Sequence, residues 1–341
     1  MDILVVGASL RAARELKECG VAKFRQREME PLDAAVHYHR TLFPAHEVLR
    51  FAHMWGARRE VALFIVPRDG GEARVRRFND YADAAALRAD LERNAVARIE
   101  LGAALTVAPS ATKFLRLEAR VDVRELAFDV DIDAYDGAFA FAPALEGAAA
   151  RRCCRGAVLC ARCWPLLACA AECLDAVLRA HLGLAHILYV FSGRRGVHVY
   201  ACDAAAGALG AGARSVVAHT FAALARAVSD DAARLEDLRA ILRRYALQHG
   251  GAERDYVPRL DAQVSAQPAH LLRAPLAAHP LNGGIALPLA LADFLAFDVA
   301  RAPTAQALCA RAPAACAQLE RAAAHLANFV RARETQSLGE N

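Results

Sequence analysis

The sequence predicts a mixed α/β fold, on three observations. Two short apolar runs, Ile187–Phe191 and Val197–Tyr200, flank a turn rich in glycine and arginine, which is the pattern of two joined strands. A third run, Leu126–Ile132, carries polar residues at every second position from Asp129, as a half-buried strand does. Between such runs lie long alanine-rich stretches of helical composition, above all Ala204–Gly250. With 341 residues the chain can bury a substantial core in one large or two intimate domains.

Taken in order, Met1–Glu30 precedes the first patterned segment, and residues 1–31 are expected to form a poorly ordered extension. Glu15, Glu18, Glu28 and Glu30 weigh against a mitochondrial presequence, and an opening with an acid and no basic region weighs against a secretory signal. Asp33–Trp55 reads as helical, with strands at Glu60–Val66 and Val75–Phe78 around a Pro67–Gly71 turn. Asp83–Asn94 reads as a helix, Arg98–Val107 and Phe114–Asp131 as strands, and Pro165–His181 as an amphipathic helix. Leu289–Asn341 reads as helical with a polar tail, and there is no internal repeat. The hydrophobic fraction of 56% is inflated by alanine, and charged residues interrupt every candidate apolar span, so no transmembrane helix is expected. A net charge of +4 identifies no partner, although clusters at Arg58-Arg59, Arg74–Arg77 and Arg151-Arg152 could follow a phosphate backbone.

The chemistry concentrates in three places. Asp129 and Asp131 fall on one face of their strand, where two like charges repel and burial raises the cost. A shared divalent cation with oxygen ligands is one compensation, and an edge strand with two solvated acids is the other reading. The turn Ser192-Gly193-Arg194-Arg195-Gly196-Val197-His198 offers glycines for close backbone approach and guanidinium forks for phosphate oxygens, or else an exposed hairpin. Downstream, Asp261 could complete the coordination of a second cation, and His270, Arg273 and His279 follow on proline-containing segments. A metal pair beside a phosphate clamp implies phosphoryl or nucleotidyl transfer. Separately, Cys153, Cys154, Cys160 and Cys163 place four thiols within eleven residues, a spacing suited to one tetrahedral zinc. Cys169 and Cys173 stand one helical turn apart and read as helix packing, while Cys19, Cys202, Cys309 and Cys316 read as small apolar residues.

In this order, Glu125–Asp131, the Ser192–His198 turn, Arg259-Leu260-Asp261 and His270–Arg273 resemble the catalytic small subunit of the eukaryotic-type DNA primase, of the archaeo-eukaryotic primase family. Tyr38–Pro44, Arg59–Phe64 and Arg98–Ala103 are similar to earlier segments of that family, so the resemblance runs from about Val36 to about Asp298. It implies a primase-type catalytic core of mixed β-sheets flanked by helices, with an inserted zinc knot at 153–163 and a short helical subdomain. The core would span 32–203 and be completed by 253–300, with the shortened subdomain at 204–252 and a C-terminal helical segment and tail at 301–341.

The resemblance further implies DNA-templated synthesis of short RNA primers, initiating DNA replication. Glu60, Asp129, Asp131 and Asp261 would be catalytic, the three aspartates holding two Mg²⁺ or Mn²⁺ ions. Arg74, Glu100, Ser192, Arg194, Arg195, His198, His270, Arg273 and His279 would bind the nucleotide, with Arg273 standing where the family usually has lysine and Glu100 where it has aspartate. The four cysteines would hold a structural Zn²⁺, since four thiolates leave no open position. Implied partners are a single-stranded DNA template, ribonucleoside triphosphates, the iron–sulfur large subunit and the polymerase alpha complex, in a nuclear setting, with no membrane. A primase-polymerase that extends primers in repair would use the same chemistry. A non-catalytic, zinc-stabilised nucleic-acid-binding module would have no need of the aspartates.

Overall fold

A computed structural model describes residues 29–67, 71–115, 118–136, 159–227 and 236–339. The chain divides into two units, Met1–Glu30 and Pro31–Asn341, and the second carries every element named below. Its elements in order are α1 (Pro31–Thr41), α2 (Ala45–His53), β1 (Arg59–Ile65), β2 (Arg74–Asn79), α3 (Ala84–Arg93), β3 (Val96–Leu105), α4 (Pro109–Leu115), β4 (Val121–Val123) and β5 (Leu126–Asp131). There follow α5 (Trp164–Ala176), β6 (Ile187–Phe191), β7 (Gly196–Ala201), α6 (Ala204–Gly207), α7 (Ala211–Ala227), α8 (Glu236–His249) and α9 (Ala262–Ala266). The last are β8 (Leu272–Arg273), β9 (Leu287–Leu289), α10 (Leu291–Leu295), α11 (Ala305–Cys309) and α12 (Pro313–Gly339).

Two sheets carry the unit. The first has the order β2-β1-β3-β4, with β8 also paired to β3, and the second the order β5-β7-β6-β9. Every described pairing is antiparallel, so the expectation of mixed sheets is not met. The reason is local for β6 and β7, which are joined by a turn too short for a crossover.

Three boundaries differ from the sequence reading. Asp33–Trp55 is two helices, because Pro44 stands immediately before α2 and interrupts the backbone ladder there. Phe114–Asp131 is not one strand: Pro109 opens the helix α4, and among the described residues only Val121–Val123 and Leu126–Asp131 form strands. Within Leu289–Asn341, Leu289 ends β9 and the helical remainder is divided into α10, α11 and α12.

Packing fixes the second sheet firmly. β6 and β7 are buried along their whole lengths, and Phe128 of β5 meets Phe221 of α7 edge-on at 5.6 Å. Trp164, the first residue of α5, packs among Phe191, Phe294 and Phe297, with ring centroids 4.9–5.8 Å away. Each such aromatic contributes about 1.5–3 kcal/mol by leaving water.

The junction of β4 and β5 is polar yet buried. Arg59 donates two parallel hydrogen bonds to Glu125, at 2.7 and 2.8 Å, and Trp55 Nε1 donates a third at 3.1 Å. Burial alone would raise the Glu125 carboxyl, but Arg59 and then Arg124 hold it down at about 2. Arg214 of α7 donates to the carbonyl oxygens of Arg124 and Glu125, and so ties the alanine-rich segment to the start of β5.

Candidate functional site

β5 presents its two acids as the alternation requires. Phe128, Val130 and Ile132 point into the core, while the Asp129 and Asp131 side chains stay 27% and 43% exposed on the opposite face. β7 runs alongside, with Asp129 opposite His198 and Asp131 opposite Gly196. Burial first, then the charges of Asp131 and Asp261, push the Asp129 carboxyl up to about 7. Burial raises Asp131 as well, against the pull of the Asp133 backbone N–H and Arg195.

Asp261 joins them through the backbone, its N–H donating to the Asp129 carbonyl at 2.9 Å. Its side chain caps α9 by accepting the Gln263 N–H at 2.9 Å. That engagement leaves the third carboxylate turned to its own helix. Among the described residues, no three His, Cys, Asp or Glu side chains converge as a ready metal cage. The donor chemistry nevertheless suits a hard divalent cation: carboxylate oxygens on one face, with a repulsion that a cation would remove.

Opposite the acids stands a set of cations. The Ser192 hydroxyl accepts the Gly196 N–H at 3.0 Å, and the Ser192 N–H donates to the Gly196 carbonyl at 2.9 Å, which closes the turn. Gly193 has φ of +82°, and a Cβ there would come 2.5 Å from the Gly284 carbonyl oxygen. A Cβ at Gly196 would come 2.7 Å from the Val130 carbonyl oxygen. Both glycines therefore answer to neighbouring backbone rather than to an approaching ligand. Asn282 secures the same turn by donating to the Gly193 carbonyl at 3.0 Å.

Arg195 lies 2.5 Å from Asp133 and 3.8 Å from Asp131. Arg273 sits opposite Glu100 in the β3–β8 pair and donates to the Ser192 carbonyl at 2.5 Å, linking the two sheets. Glu100 pairs with Arg98 at 3.1 Å and is raised by burial, against the pull of Arg98 and Arg273. The His279 Nδ1 accepts the Leu281 N–H at 3.1 Å, which assigns its proton to Nε2. Burial and the surrounding Arg273 and Arg194 hold that imidazole down at about 2, so it is a neutral donor. His198 is likewise held neutral, at about 3, by burial and Arg273, with Nε2 3.7 Å from Asp129. Arg194 Nε, Arg195 Nε and Arg273 Nε are buried donors with no hydrogen-bond partner among the described residues, and the buried His198 Nδ1 has none among them either. Orphaned donors of this kind fit an anionic ligand.

Other expected site residues stand apart from that cluster. Glu60 is buried and fully engaged, accepting from Arg77 at 2.6 and 3.0 Å and from the Phe78 N–H at 3.0 Å. Its carboxylate holds β2 and is not turned to the acids of β5. Arg74 lines a separate cavity along β2. His270 lies near Asp261, its carbonyl accepting from Arg124. Cys160 and Cys163 are drawn together by a turn in which the Cys163 N–H donates to the Cys160 carbonyl at 3.0 Å. Cys153 and Cys154 lie outside the described residues, as do Arg151 and Arg152.

Two residues of this site escaped the sequence reading. Asp133 continues the two-residue spacing of Asp129 and Asp131 and aims Arg195. Asn282 precedes Gly283-Gly284, a turn signature that marks a loop but not its target.

The family model described as DNA primase small subunit matches residues 128–291, the segment holding both aspartates, the arginine turn, Asp261 and His279. The DNA primase small subunit of Drosophila melanogaster is 42% identical over 80 residues, covering 24% of this chain and 16% of the relative. That of Saccharomyces cerevisiae is 34% identical over 143 residues, covering 42% of this chain and 31% of the relative. The chain thus spans less than a third of the length of either. Among solved structures, the polymerase domain of Mycobacterium tuberculosis ligase D in complex with DNA superposes with a TM-score of 0.45 at 14% identity, covering 88% of this chain and 99% of that one. On the family match and the two curated relatives, the chain is similar to the DNA primase small subunit over residues 128–291.

Proposed function

We propose that this chain is the catalytic subunit of a primase, joining ribonucleotides into short primers on a single-stranded DNA template. One observation carries the reading: Asp129 and Asp131 share one strand face, beside buried guanidinium nitrogens of Arg194, Arg195 and Arg273 that have no hydrogen-bond partner among the described residues. That pairing suits a nucleoside triphosphate, whose phosphates need donors and whose transfer needs carboxylates for divalent cations.

In this mechanism Arg194, Arg195 and Arg273 bind the triphosphate by charge-assisted hydrogen bonds, and His279 adds a neutral Nε2–H donor. Ser192 shapes the turn that presents the arginines. Glu100, opposite Arg273 in the β3–β8 pair, would read the ribose. Asp129 and Asp131, with Asp261 on release of its capping bond, would hold the cations. Bound Mg²⁺ or Mn²⁺ would supply Lewis-acid activation of the primer 3′-hydroxyl and charge neutralisation on the departing pyrophosphate. Glu60 acts at a distance in this scheme, keeping β2 and Arg77 in place.

The four cysteines at 153–163 are proposed to bind one structural Zn²⁺, a reading supported by the close turn at Cys160 and Cys163. The same scheme includes an iron–sulfur large subunit, the polymerase alpha complex and a nuclear setting. The test is primer synthesis on unprimed single-stranded DNA, with and without the large subunit. Labelled primers from ribonucleotides support the reading. Extension confined to pre-annealed primers and deoxynucleotides would instead identify a repair polymerase, and template binding with no transfer under any condition would identify a binding module.

A further inference from the structure

A cavity of about 460 Å³ runs along β2, away from the acids of β5, and is lined by Ile65, Pro67, Arg74, Val75, Phe78 and Lys113. β2 is the edge strand of its sheet, and α4 packs against it. Edge strands usually discourage company with charge, yet this one also shows apolar surface. Val75 is 47% exposed, Phe78 is 36% exposed, and Phe114, one residue beyond Lys113 on α4, is 78% exposed.

Phe78 is held there against its own preference. Its φ of +58° lies in the left-handed region that a bulky aromatic residue avoids. The Glu60 carboxylate secures it by accepting the Phe78 N–H at 3.0 Å while binding the Arg77 guanidinium. The Arg77 guanidinium carbon in turn lies 5.2 Å from the Phe78 ring centroid. Strain of this kind persists where the surroundings over-determine it, and it gathers at binding sites.

Charge supplies the second half. Arg76 and Arg77 are neutralised by Asp90 and Glu60. Arg74 and Lys113, which also line the groove, have no carboxylate partner among the described residues. Exposed aromatic rings beside basic side chains are the surface that accepts single-stranded nucleic acid: rings stack on any base, and the cations meet the backbone.

We propose that the β2 groove docks single-stranded nucleic acid, with a base stacked on Phe78 and the backbone following Arg74 and Lys113. This rests on the primase reading and names where the template strand runs. It also reassigns Arg74 from the incoming nucleotide to the template.

The test uses the full chain and a short fluorescent oligo-dT, with anisotropy as the readout. Phe78→Gly removes the ring and suits the left-handed φ, so its melting temperature should not fall. Its affinity for oligo-dT should drop about 5- to 100-fold. Lys113→Glu should weaken binding and reduce the slope of log affinity against log salt by about 1. Both variants should keep the wild-type KM for ribonucleotide once template is saturating. Wild-type oligo-dT affinity in both variants would overturn the docking site while leaving the primase reading intact; the groove would then suit a protein partner adding a strand to β2. A wild-type chain that neither binds oligo-dT nor transfers nucleotides overturns the primase reading and the docking site together.

Discussion

Replacing Asp129 by asparagine removes one of two facing charges without changing the side chain's shape, and the consequence depends on pH. In the folded chain the Asp129 carboxyl is raised from 3.8 to about 7, by burial and then by Asp131 and Asp261. A raised carboxyl favours the folded state only while it is protonated. That contribution is complete below about pH 4 and is lost as pH rises through about 7. At 1.36 kcal/mol per pKa unit the ceiling is about 4 kcal/mol, and partial exposure of the side chain reduces it to about 2–4 kcal/mol. Without divalent cations, Asp129→Asn should therefore match the wild type near pH 4 and outlast it near pH 8, by about 3–6 °C in Tm for a unit of this size. Adding Mn²⁺ should close the gap, because a cation stabilises the ionised pair of the wild type and the variant has lost a ligand. Nucleotide transfer by the variant should be abolished throughout. The assay is thermal unfolding by circular dichroism from about pH 4 to pH 8, with EDTA or MnCl₂. A Tm difference that does not change with pH refutes the electrostatic argument, and wild-type turnover refutes the metal assignment.

Three further outcomes are expected. Glu125→Gln leaves the buried Arg59 and Arg124 without their counter-charge and should cost about 3–5 kcal/mol, read by denaturant unfolding at neutral pH. Because Glu125 is held at about 2, its contribution is present above the ordinary glutamate range and lost as pH falls through about 2, so the wild-type advantage should shrink in acid. Arg195→Ala should raise the KM for nucleotide and lower kcat, by about ten- to hundredfold in kcat/KM, with lysine restoring only part; an unchanged kcat/KM would remove the arginine turn from the phosphate site. Purified protein should carry about one zinc, and Cys160→Ser should lose it together with several kcal/mol of stability; a metal-free wild type with an unaltered melt would end the zinc proposal.

What the sequence could reveal was set by the range of the interactions involved. The strand periodicity of Leu126–Asp131 and the hairpin around Ser192–Gly196 are local, and both are found where the pattern put them. Phe114 misled because its apolar, aromatic neighbourhood has strand propensity, whereas Pro109 and the residues after it form a helical turn. The pairing of β3 with β8, which brings Glu100 opposite Arg273 across more than a hundred residues, leaves no periodic trace in either segment. The same is true of Glu60, whose engagement by Arg77 and Phe78 depends on how β2 lies against β1. The glycines were legible as glycines but not in their purpose. Gly193 and Gly284 approach one another so closely that neither admits a side chain, which is a relation between two distant loops.

Arg273 shows how these long-range relations make the site. One guanidinium nitrogen donates to the Ser192 carbonyl and so fastens the first sheet to the turn at the end of the second. Its Nε remains buried and without a partner among the described residues, and Asp129 and Glu100 are among the charges that act on this side chain. Burial and then Arg98 lower its pKa to about 10, which still leaves it charged at neutral pH. A planar fork can make a structural bond with one nitrogen and keep another for a ligand, whereas an ammonium at the end of a flexible stem must share one centre between both tasks. The arginine at this position, where the resembling family usually has lysine, is therefore suited to a site in which the sheet-to-sheet link and the phosphate contact fall on a single side chain. Asn282 reinforces the same join from the other side, by donating to Gly193 one residue further along the turn. The proposed triphosphate pocket thus depends on the seam between the two sheets, and changes that loosen the seam should reach nucleotide affinity before they reach the acids of β5.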